Sequence, residues 1–413
     1  MTGQPGCVAV RMPGGSCPRA VRGKVLVALV VTAACDQRAS TSEAGDLVTT
    51  FDTVGGVVRV TNTGAPPRWG LTRIVSVGPK TLAVGDGGPE EFGMVSSAAL
   101  GPGNEVFVGD RHYMEVRVFG LDGRHLRTFG RGGEGPGEFG DVTSLAWVGD
   151  RLLALDLVAG RITEFSSAGE VLGQRTAPGR WGGSEALRLY PVAFDEAYSV
   201  GASFDADGMS VVYVGQTGRG ETGDTLRGRE DPWDGTIACE YNGGWLSFFE
   251  IVYSPKLVQH PGPGAVMYEA RTGTYRIAVT RGEDTLRIID RVLPAEGVTD
   301  EEWASATERF ETFLRDTPGA DCEPRRPARP AAKPFVNEIF VAPDSRLWVE
   351  VIRSAGHRWE VFDPDGRLLA SAPFHEWKRH SVPAFGAAHI VTIRRDSLDL
   401  DHVDVWRIER GGE

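Results

Sequence analysis

The chain has 413 residues, 54 of them glycine and 25 proline, and it carries a net charge of −12. This length is enough for one large domain, and the glycine content suits many short strands joined by turns. Residues 1–34 hold four basic residues and no acidic one, so the remainder carries −16. A body this acidic argues against nucleic-acid binding and against adsorption of the folded domain to anionic lipid.

The N-terminal segment has the pattern of an export signal. Arg19, Arg22 and Lys24 precede the apolar run Val25–Val31, which is too short to cross a membrane. Residues 32–35 (Thr-Ala-Ala-Cys) resemble the lipobox of bacterial lipoproteins, and the resemblance implies that Cys35 becomes the lipidated first residue. The alternative is a conventional signal peptide followed by an incidental cysteine. We therefore expect a signal peptide at 1–34 and an exported protein of the cell envelope, anchored to a membrane leaflet that the sequence does not indicate.

The predicted folded body begins after a short linker. Residues 35–50 are small and polar, which predicts a flexible tether. Alternating apolar segments follow at Val57–Val60 and Arg73–Val77, and others occur near the C-terminus at His389–Arg394 and Val403–Arg410. Because an unpaired sheet edge invites aggregation, we expect an N-terminal strand to complete a sheet begun by the C-terminal strands.

One stretch of the chain is repeated. Residues Glu105–Asp110 recur as Arg151–Asp156, and the turn Phe119–Gly123 recurs as Phe165–Gly169, both 46 residues later. A third copy of the turn pattern ends at Asp365-Gly366. A repeat of this length, with short apolar alternations and Gly or Asp turns, is typical of a propeller blade.

The repeats predict an all-β fold, a six-bladed β-propeller with four-stranded antiparallel blades over residues 51–413. Two blades are predicted at about 93–140 and 141–186, and one at about 335–378. Two weaker repeats lie within 187–226 and 236–292, and strands from both ends of the chain compose the sixth blade.

An insertion at about 295–334 interrupts the strands. Residues 299–316 open with Thr299 and Glu302 at capping-box spacing and continue with apolar residues at helical spacing, which predicts an amphipathic helix. We expect the helix to pack on a propeller face, the alternative being that it docks a partner. A proline-rich connector follows at 323–334.

These segments resemble a known family. The Gly-rich run at 130–139, the Phe-x-x-Asp-Gly turns, and the segments Arg346–Val349 and Arg395–Val403 look like bacterial six-bladed propeller proteins related to NHL repeats. The resemblance implies an exported lipoprotein, because many members are exported lipoproteins. Most members have no assigned activity, so the resemblance predicts the fold and not a reaction.

The five cysteines fall into separate groups. Cys7 and Cys17 lie in the signal peptide, and Cys35 is the predicted lipidation site. Cys239 and Cys322 remain, and in an oxidising compartment they can form a disulfide or stay as separate buried thiols. They lack the spacing of a zinc site.

Few residues suggest a ligand site. Asp110 and Asp156 end equivalent strands, and His112 has no counterpart near Asp156, so these three are candidates for a ligand-binding loop face. Asp110 and Asp156 recur with the repeat, which favours a structural role at the turn over catalysis. Gly130–Gly137 lacks the Lys of a phosphate-binding loop.

A second group of candidates lies near the C-terminus, where four residues could supply ligands to Ca²⁺: Asp396, Asp399, Asp401 and His402. The group lacks the glycine and distal glutamate of an EF-hand, so solvated acids at a turn are the alternative. No other cofactor is expected.

The chain contains none of the short motifs of serine hydrolases, zinc proteases or dithiol enzymes. We therefore expect a lipid-anchored binding scaffold for a protein, peptide or glycan, without nucleic acid as a partner. The alternative is a lactonase- or lyase-type propeller enzyme with a divalent cation on the channel axis. A third hypothesis is an assembly role for the helix at 299–316.

Overall fold

Most of the described chain is extended, as the alternation of apolar and polar residues predicts. The computed structural model describes residues 45–79, 88–177, 188–205, 208–217, 221–229, 236–378 and 381–411. Within these ranges, the side chains of residues 202–210 are not described. The predicted signal peptide and Cys35 lie outside them. No helix within these ranges has the length and apolar character needed to span a membrane.

The two clear copies of the repeat each form one four-stranded antiparallel sheet. The first eleven strands are β1 (Val48–Val54), β2 (Val57–Thr63), β3 (Gly70–Val77), β4 (Val95–Gly101), β5 (Glu105–Asp110), β6 (Glu115–Gly120), β7 (His125–Phe129), β8 (Ser144–Val148), β9 (Arg151–Asp156), β10 (Arg161–Phe165) and β11 (Val171–Thr176). Strands β4–β7 and β8–β11 pair in chain order, so the prediction of antiparallel four-stranded sheets here is confirmed. Strand β1 begins at Val48, inside the segment predicted as tether.

The middle of the chain contains two further sheets and a small separate one. Its elements are β12 (Leu189–Ala193), β13 (Glu196–Asp205), β14 (Gly208–Thr217), β15 (Thr222–Arg227), β16 (Thr236–Tyr241), β17 (Trp245–Glu250), β18 (Leu257–Gly262), β19 (Val266–Arg271), β20 (Arg276–Arg281), β21 (Asp284–Arg291), α1 (Asp300–Asp316) and β22 (Asp321–Glu323). Strands β12–β15 form one sheet, β18–β21 form the next, and β17, β16 and β22 form a three-stranded sheet. We call the three-stranded sheet the accessory sheet.

The C-terminal part returns to the repeat. Its strands are β23 (Val336–Val341), β24 (Leu347–Val351), β25 (Arg358–Phe362), β26 (Leu368–Pro373), β27 (Ala384–Phe385), β28 (His389–Arg395) and β29 (Asp401–Glu409). Strands β23–β26 form a four-stranded sheet, and β27–β29 take β3 as their fourth strand. Val405 of β29 lies opposite Val75 of β3, which confirms that the two ends of the folded body share a sheet.

Neighbouring sheets contact each other through their first strands. Strand β4 contacts β8, β8 contacts β12, β12 contacts β18, and β18 contacts β23. Phe340 of β23 meets Phe385 of β27 with ring centroids 5.7 Å apart, and β27 contacts β4. This succession of antiparallel sheets is consistent with a β-propeller.

Apolar side chains fill the spaces between the sheets. Phe107 and Phe165 are fully buried, and Phe107 packs edge-on against Trp147 of the next sheet with ring centroids 5.1 Å apart. Burying one such phenyl ring stabilises the fold by roughly 2–3 kcal/mol. Between β18–β21 and β23–β26, the buried Glu360 carboxylate accepts hydrogen bonds from Tyr275 Oη (2.9 Å) and Arg291 Nε (3.2 Å).

The N-terminal hairpin occupies a position that the sequence did not predict. Strand β2 pairs in parallel with β21, so β1 and β2 extend β18–β21 to six strands. Asn62 of β2 is fully buried, donates to Gly366 O (3.0 Å) and accepts from Leu368 N (2.9 Å). These bonds attach the hairpin to the neighbouring sheet as well.

Two expectations for the region around the helix were wrong. Residues 236–250 do not belong to a blade with 257–291, because β16 and β17 pair with β22 instead. Helix α1, whose predicted capping box at Thr299 and Glu302 is confirmed, packs on the accessory sheet and not on a propeller face. Phe310 of α1 is buried against Phe249 of β17, with ring centroids 5.4 Å apart.

Candidate functional site

Asp110 has a structural environment. Its fully buried carboxylate accepts hydrogen bonds from the backbone N–H groups of Gly93 (2.9 Å), Met94 (3.2 Å), His112 (3.0 Å) and Tyr113 (3.3 Å). The carboxylate thus joins the segment before β4 to the turn after β5. A side chain with this many donors around it is engaged with its own backbone.

Asp156 repeats this arrangement in the next sheet. It is fully buried and accepts from the N–H groups of Gly140 (2.8 Å), Asp141 (3.1 Å) and Ala159 (2.9 Å). The segment before β8 and the turn after β9 are joined as in the first copy. Asp110 and Asp156 are therefore equivalent turn residues of two sheets.

His112 is exposed at the turn after β5. Its ring lies edge-on to Tyr113 with centroids 4.9 Å apart, and a Cβ at Gly93 would come within 2.6 Å of the His112 Cβ. The close approach explains the glycine at position 93. The structure does not bring Asp110, His112 and Asp156 together around the cleft described below.

Asp396 and Asp401, two of the candidate calcium ligands near the C-terminus, are held by protein groups. Asp396 accepts from Leu398 N and Leu400 N and contacts His402 Nε2 at 2.8 Å, and the His402 hydrogen bond lowers the pKa of Asp396 to about 2. Asp401 pairs with Lys378 (2.8 Å) and Arg395 (3.0 Å). Within the described ranges, no three His, Cys, Asp or Glu residues lie close enough together to hold a metal ion.

The two cysteines of the mature chain are neighbours. Cys239 of β16 and Cys322 of β22 lie opposite each other in the accessory sheet, and a disulfide joins them across 83 residues of sequence. Both side chains are buried beneath α1. The disulfide holds the short strand β22 against β16.

A large concave site among the described residues is a cleft at the N-terminal ends of β12, β18 and β23. Its volume is about 740 Å³, within the range of small-ligand sites, and its lining is as polar as it is apolar. The lining residues discussed below are Tyr190, His260, Asn337 and His357. We call this site the cleft.

The accessory sheet and its connections form one wall of the cleft. Residues 250–254 and Lys256 line it, and so do Glu302 of α1 and Lys333. The buried Lys333 ammonium donates to Glu302 (2.6 Å) and to Ser354 Oγ (2.9 Å). These bonds fix the helix start to the loop that follows β24.

His260 supplies a neutral imidazole to the cleft. It is almost completely buried on β18, beside the ring of Tyr190 at a centroid distance of 4.7 Å. Burial lowers the pKa of His260 to about 4, so the ring is uncharged at pH 7. Its Nδ1 lies 2.6 Å from Pro261 O and donates to it, which leaves Nε2 as the acceptor.

Tyr190 is a hydrogen-bonding group that remains protonated. Burial raises the pKa of its phenol, and the nearby Arg188 opposes this effect. The phenol and the neutral His260 make this wall of the cleft polar without adding charge.

His357, which lines the cleft, is paired with a buried carboxylate. Glu350 is fully buried, and its carboxylate accepts from His357 Nδ1 (2.6 Å) and Asn337 Nδ2 (2.9 Å). The His357 side chain is 34% exposed, and within the described residues its Nε2 forms no hydrogen bond. A buried carboxylate that accepts from Nδ1 fixes the ring and leaves Nε2 as the nitrogen that is available to a ligand, an arrangement used in acid–base catalysis.

The sequence did not predict these residues. Glu350 and His357 lie on opposite sides of the β24–β25 turn, seven residues apart, in a pattern that any hairpin could have. His260 and Tyr190 come from other sheets. Cleft residues that converge from separate blades leave no local signal in a single sequence.

A second, smaller pocket lies at the other ends of the first strands. It has a volume of about 320 Å³ and is mainly apolar, with Leu100, Trp147, Phe194, Phe385 and His389 in its lining. We call it the apolar pocket.

The chain matches no protein-family profile and no curated protein sequence. Solved structures similar to it are β-propeller proteins. A member of the DUF4221 family from Bacteroides vulgatus is 9% identical, with 83% of this chain and 99% of that chain covered, at a TM-score of 0.41. A protein from Bacteroides fragilis described as exported is 11% identical (88% and 96% covered, TM-score 0.37).

Virginiamycin B lyase from Staphylococcus aureus is 10% identical, with 76% of this chain and 94% of that chain covered, at a TM-score of 0.35. Structural similarity at these identities and TM-scores does not indicate the function of this chain.

Proposed function

We propose that the mature chain is an exported, lipid-anchored six-bladed β-propeller, related to NHL-repeat proteins, that binds a ligand in the cleft. The observation that carries the proposal is the cleft itself, a site of about 740 Å³ with a mixed polar and apolar lining and side chains from three successive sheets. A site of this size suits a peptide or a glycan segment better than a flat protein interface.

The six-blade closure has two supports. The first strands of β4–β7, β8–β11, β12–β15, β18–β21 and β23–β26 follow one another in contact. The C-terminal strands β27–β29, completed by β3, lie between the last of these sheets and β4. Lipid attachment at Cys35 rests on the sequence pattern alone.

The test of ligand binding uses purified residues 36–413. Panels of glycans and of peptides are screened by thermal shift, and positive compounds are measured by titration calorimetry. A bound compound at 100 times its Kd stabilises the fold by about 2.7 kcal/mol, which raises the melting temperature measurably. If no glycan or peptide in the panels raises it, the ligand-binding proposal fails.

The lipid anchor is tested in a bacterial host. Mass spectrometry of the intact protein should show acyl chains on Cys35, and Cys35→Ser should release the protein from the membrane fraction. If the parent protein carries no acyl chain and is itself recovered outside the membrane fraction, the lipoprotein proposal is contradicted.

A lactonase- or lyase-type enzyme is the second candidate, and the Glu350–His357 pair favours it. His357 Nε2 would take a proton from water or from the substrate, while Glu350 holds the ring and stabilises its charged form. His357→Gln keeps the size of the side chain and should lower turnover about 10²- to 10⁴-fold with little change in binding. If His357→Gln lowers turnover and substrate affinity by the same factor, His357 is a binding residue and does not transfer the proton.

The divalent cation of this second candidate is tested separately. Elemental analysis of purified residues 36–413 and turnover after treatment with EDTA report whether a cation is bound and required. If turnover is complete when no cation is bound, the enzyme candidate loses its divalent cation, and proton transfer by His357 remains.

A further inference from the structure

Several sheets form the apolar pocket together. Its lining residues lie on or next to the first strands β4, β8, β12 and β27, and at Pro343, which follows β23. The pocket therefore has walls from five sheets, and its volume of about 320 Å³ is within the range of small-molecule sites. Among the described residues, the apolar pocket and the cleft share no lining residue. Binding in one is therefore independent of binding in the other.

The apolar pocket offers no charge to a ligand. Among the described residues that line it there is no Asp, Glu, Lys or Arg, and His389 is the one titratable group. Burial, together with the nearby charge of Arg407, lowers the pKa of the His389 imidazole, so the ring is uncharged at pH 7. A charged ligand would be buried here without an opposite charge, which is costly. The lining therefore favours a neutral molecule.

Aromatic side chains line the apolar pocket on several sides. Trp147 of β8 and Phe385 of β27 are buried, whereas Phe194, on the turn after β12, is 76% exposed. Aromatic rings attract other rings in offset and edge-on arrangements. A ring bound in the pocket would contact these side chains and cover apolar surface of Phe194 that faces solvent. The lining therefore favours an aromatic ligand.

One buried donor at the apolar pocket lacks an acceptor. Trp147 is 9% exposed, and its Nε1–H is buried without a hydrogen bond to any described residue. Buried indole N–H groups usually have a partner. The nitrogen lies against Gly101, which also lines the pocket, because a Cβ at Gly101 would come within 2.6 Å of it. An oxygen atom of a ligand at this wall would supply the missing acceptor.

We propose that the apolar pocket binds a small, uncharged aromatic molecule, one oxygen of which accepts a hydrogen bond from Trp147 Nε1. The ring of this ligand packs against Phe194 and Phe385, and the rest of its apolar surface packs on Leu100. A glycan does not suit this pocket, since its many hydroxyl groups would lack partners in an apolar lining. The ligand of the apolar pocket is therefore of a different class from the ligand proposed for the cleft.

The hydrogen bond is tested with two naphthalenes of the same shape, 2-acetylnaphthalene and 2-isopropenylnaphthalene, which differ in having a carbonyl oxygen or a methylene group. Their affinities for residues 36–413 are measured by displacement of the neutral fluorophore 6-propionyl-2-(dimethylamino)naphthalene, whose emission shifts to shorter wavelength in apolar surroundings. Trp147→Phe keeps a ring and removes the N–H donor. It should weaken binding of the acetyl compound about 2- to 10-fold and leave the isopropenyl compound unchanged.

Two results of this experiment would overturn the proposal. One is the absence of a saturable blue shift when the parent protein is titrated into the fluorophore. The other is an equal effect of Trp147→Phe on both naphthalenes, because the N–H donor would then have no part in binding.

A variant at the mouth of the apolar pocket tests the location of the ligand without disturbing the core. Phe194→Ser alters a side chain that is 76% exposed, so the fold should persist even where Trp147→Phe fails to fold. We expect it to weaken binding of the fluorophore several-fold. The matched control Trp245→Ser removes a ring that is 70% exposed and lines neither site, and it should bind like the parent. Parent-like binding by Phe194→Ser, or equal weakening in both variants, would overturn the proposal.

Discussion

At the scale of single residues, the buried aspartates explain why the repeat keeps its spacing. A carboxylate has several acceptor sites, so Asp110 can serve four backbone N–H groups and Asp156 three. Losing a hydrogen bond to a charged acceptor costs about 1.5–3 kcal/mol, so the carboxylate stabilises these turns. The aspartate is therefore a requirement of the turn and recurs with it.

Replacing one of these carboxylates should destabilise its sheet. Asp156→Asn keeps the shape but offers one acceptor oxygen, and its amide group would face N–H donors. We expect the free energy of unfolding to fall by about 2–4 kcal/mol, measured by urea denaturation. The control is Asp122→Asn, because Asp122 is exposed and, among the residues that the structure describes, accepts only from Arg124 N. Similar losses in both variants would contradict the structural role of Asp156.

His260 should make stability depend on pH. Its pKa is about 4 in the folded protein and about 6.5 in an unfolded chain, so the unfolded chain binds more protons between these values. Stability is therefore complete above pH 6.5 and falls as the pH drops towards 4, by up to about 3 kcal/mol from this residue. Denaturation across this range should show a flatter profile for His260→Asn. An unchanged slope in the variant would mean that His260 is not buried in its neutral form.

At the scale of elements, the accessory sheet shows where alternation misleads. Residues 236–250 have the same alternating pattern as blade strands, and nothing in the pattern shows that β16 takes its partner from residues 321–323. The choice depends on Cys322, Phe310 and Phe249, which are distant in sequence and meet only after folding. The capping box, in contrast, is local and was predicted correctly.

The disulfide should stabilise the accessory sheet locally. In the chain-entropy model, closing a loop of this length contributes about 4–5 kcal/mol. After reduction, amide hydrogen exchange should quicken in β16, β17 and α1 while β4–β11 stay protected. The double variant Cys239→Ser/Cys322→Ser should behave in the same way. Uniform acceleration throughout the chain would contradict a local role.

At the scale of the whole molecule, the sequence predicted the repeated sheets and the pairing of the chain ends, because both follow from periodicity and from the need to pair sheet edges. The hairpin on β21 was not predictable, since its parallel ladder joins residues far apart without a local signal. The cleft was missed for the same reason. The candidates at Asp110 and Asp156 were visible only because they repeat.

The cleft and the apolar pocket lie at opposite ends of the first strands, and the proposed site for a glycan or peptide is the cleft. The measurement that tests this most directly is amide hydrogen exchange of residues 36–413 with and without a ligand from the glycan and peptide screen. We predict ligand-dependent protection in residues 250–256, 336–340 and 352–357. Protection confined to residues 98–102 and 383–389, around the apolar pocket, would contradict the account.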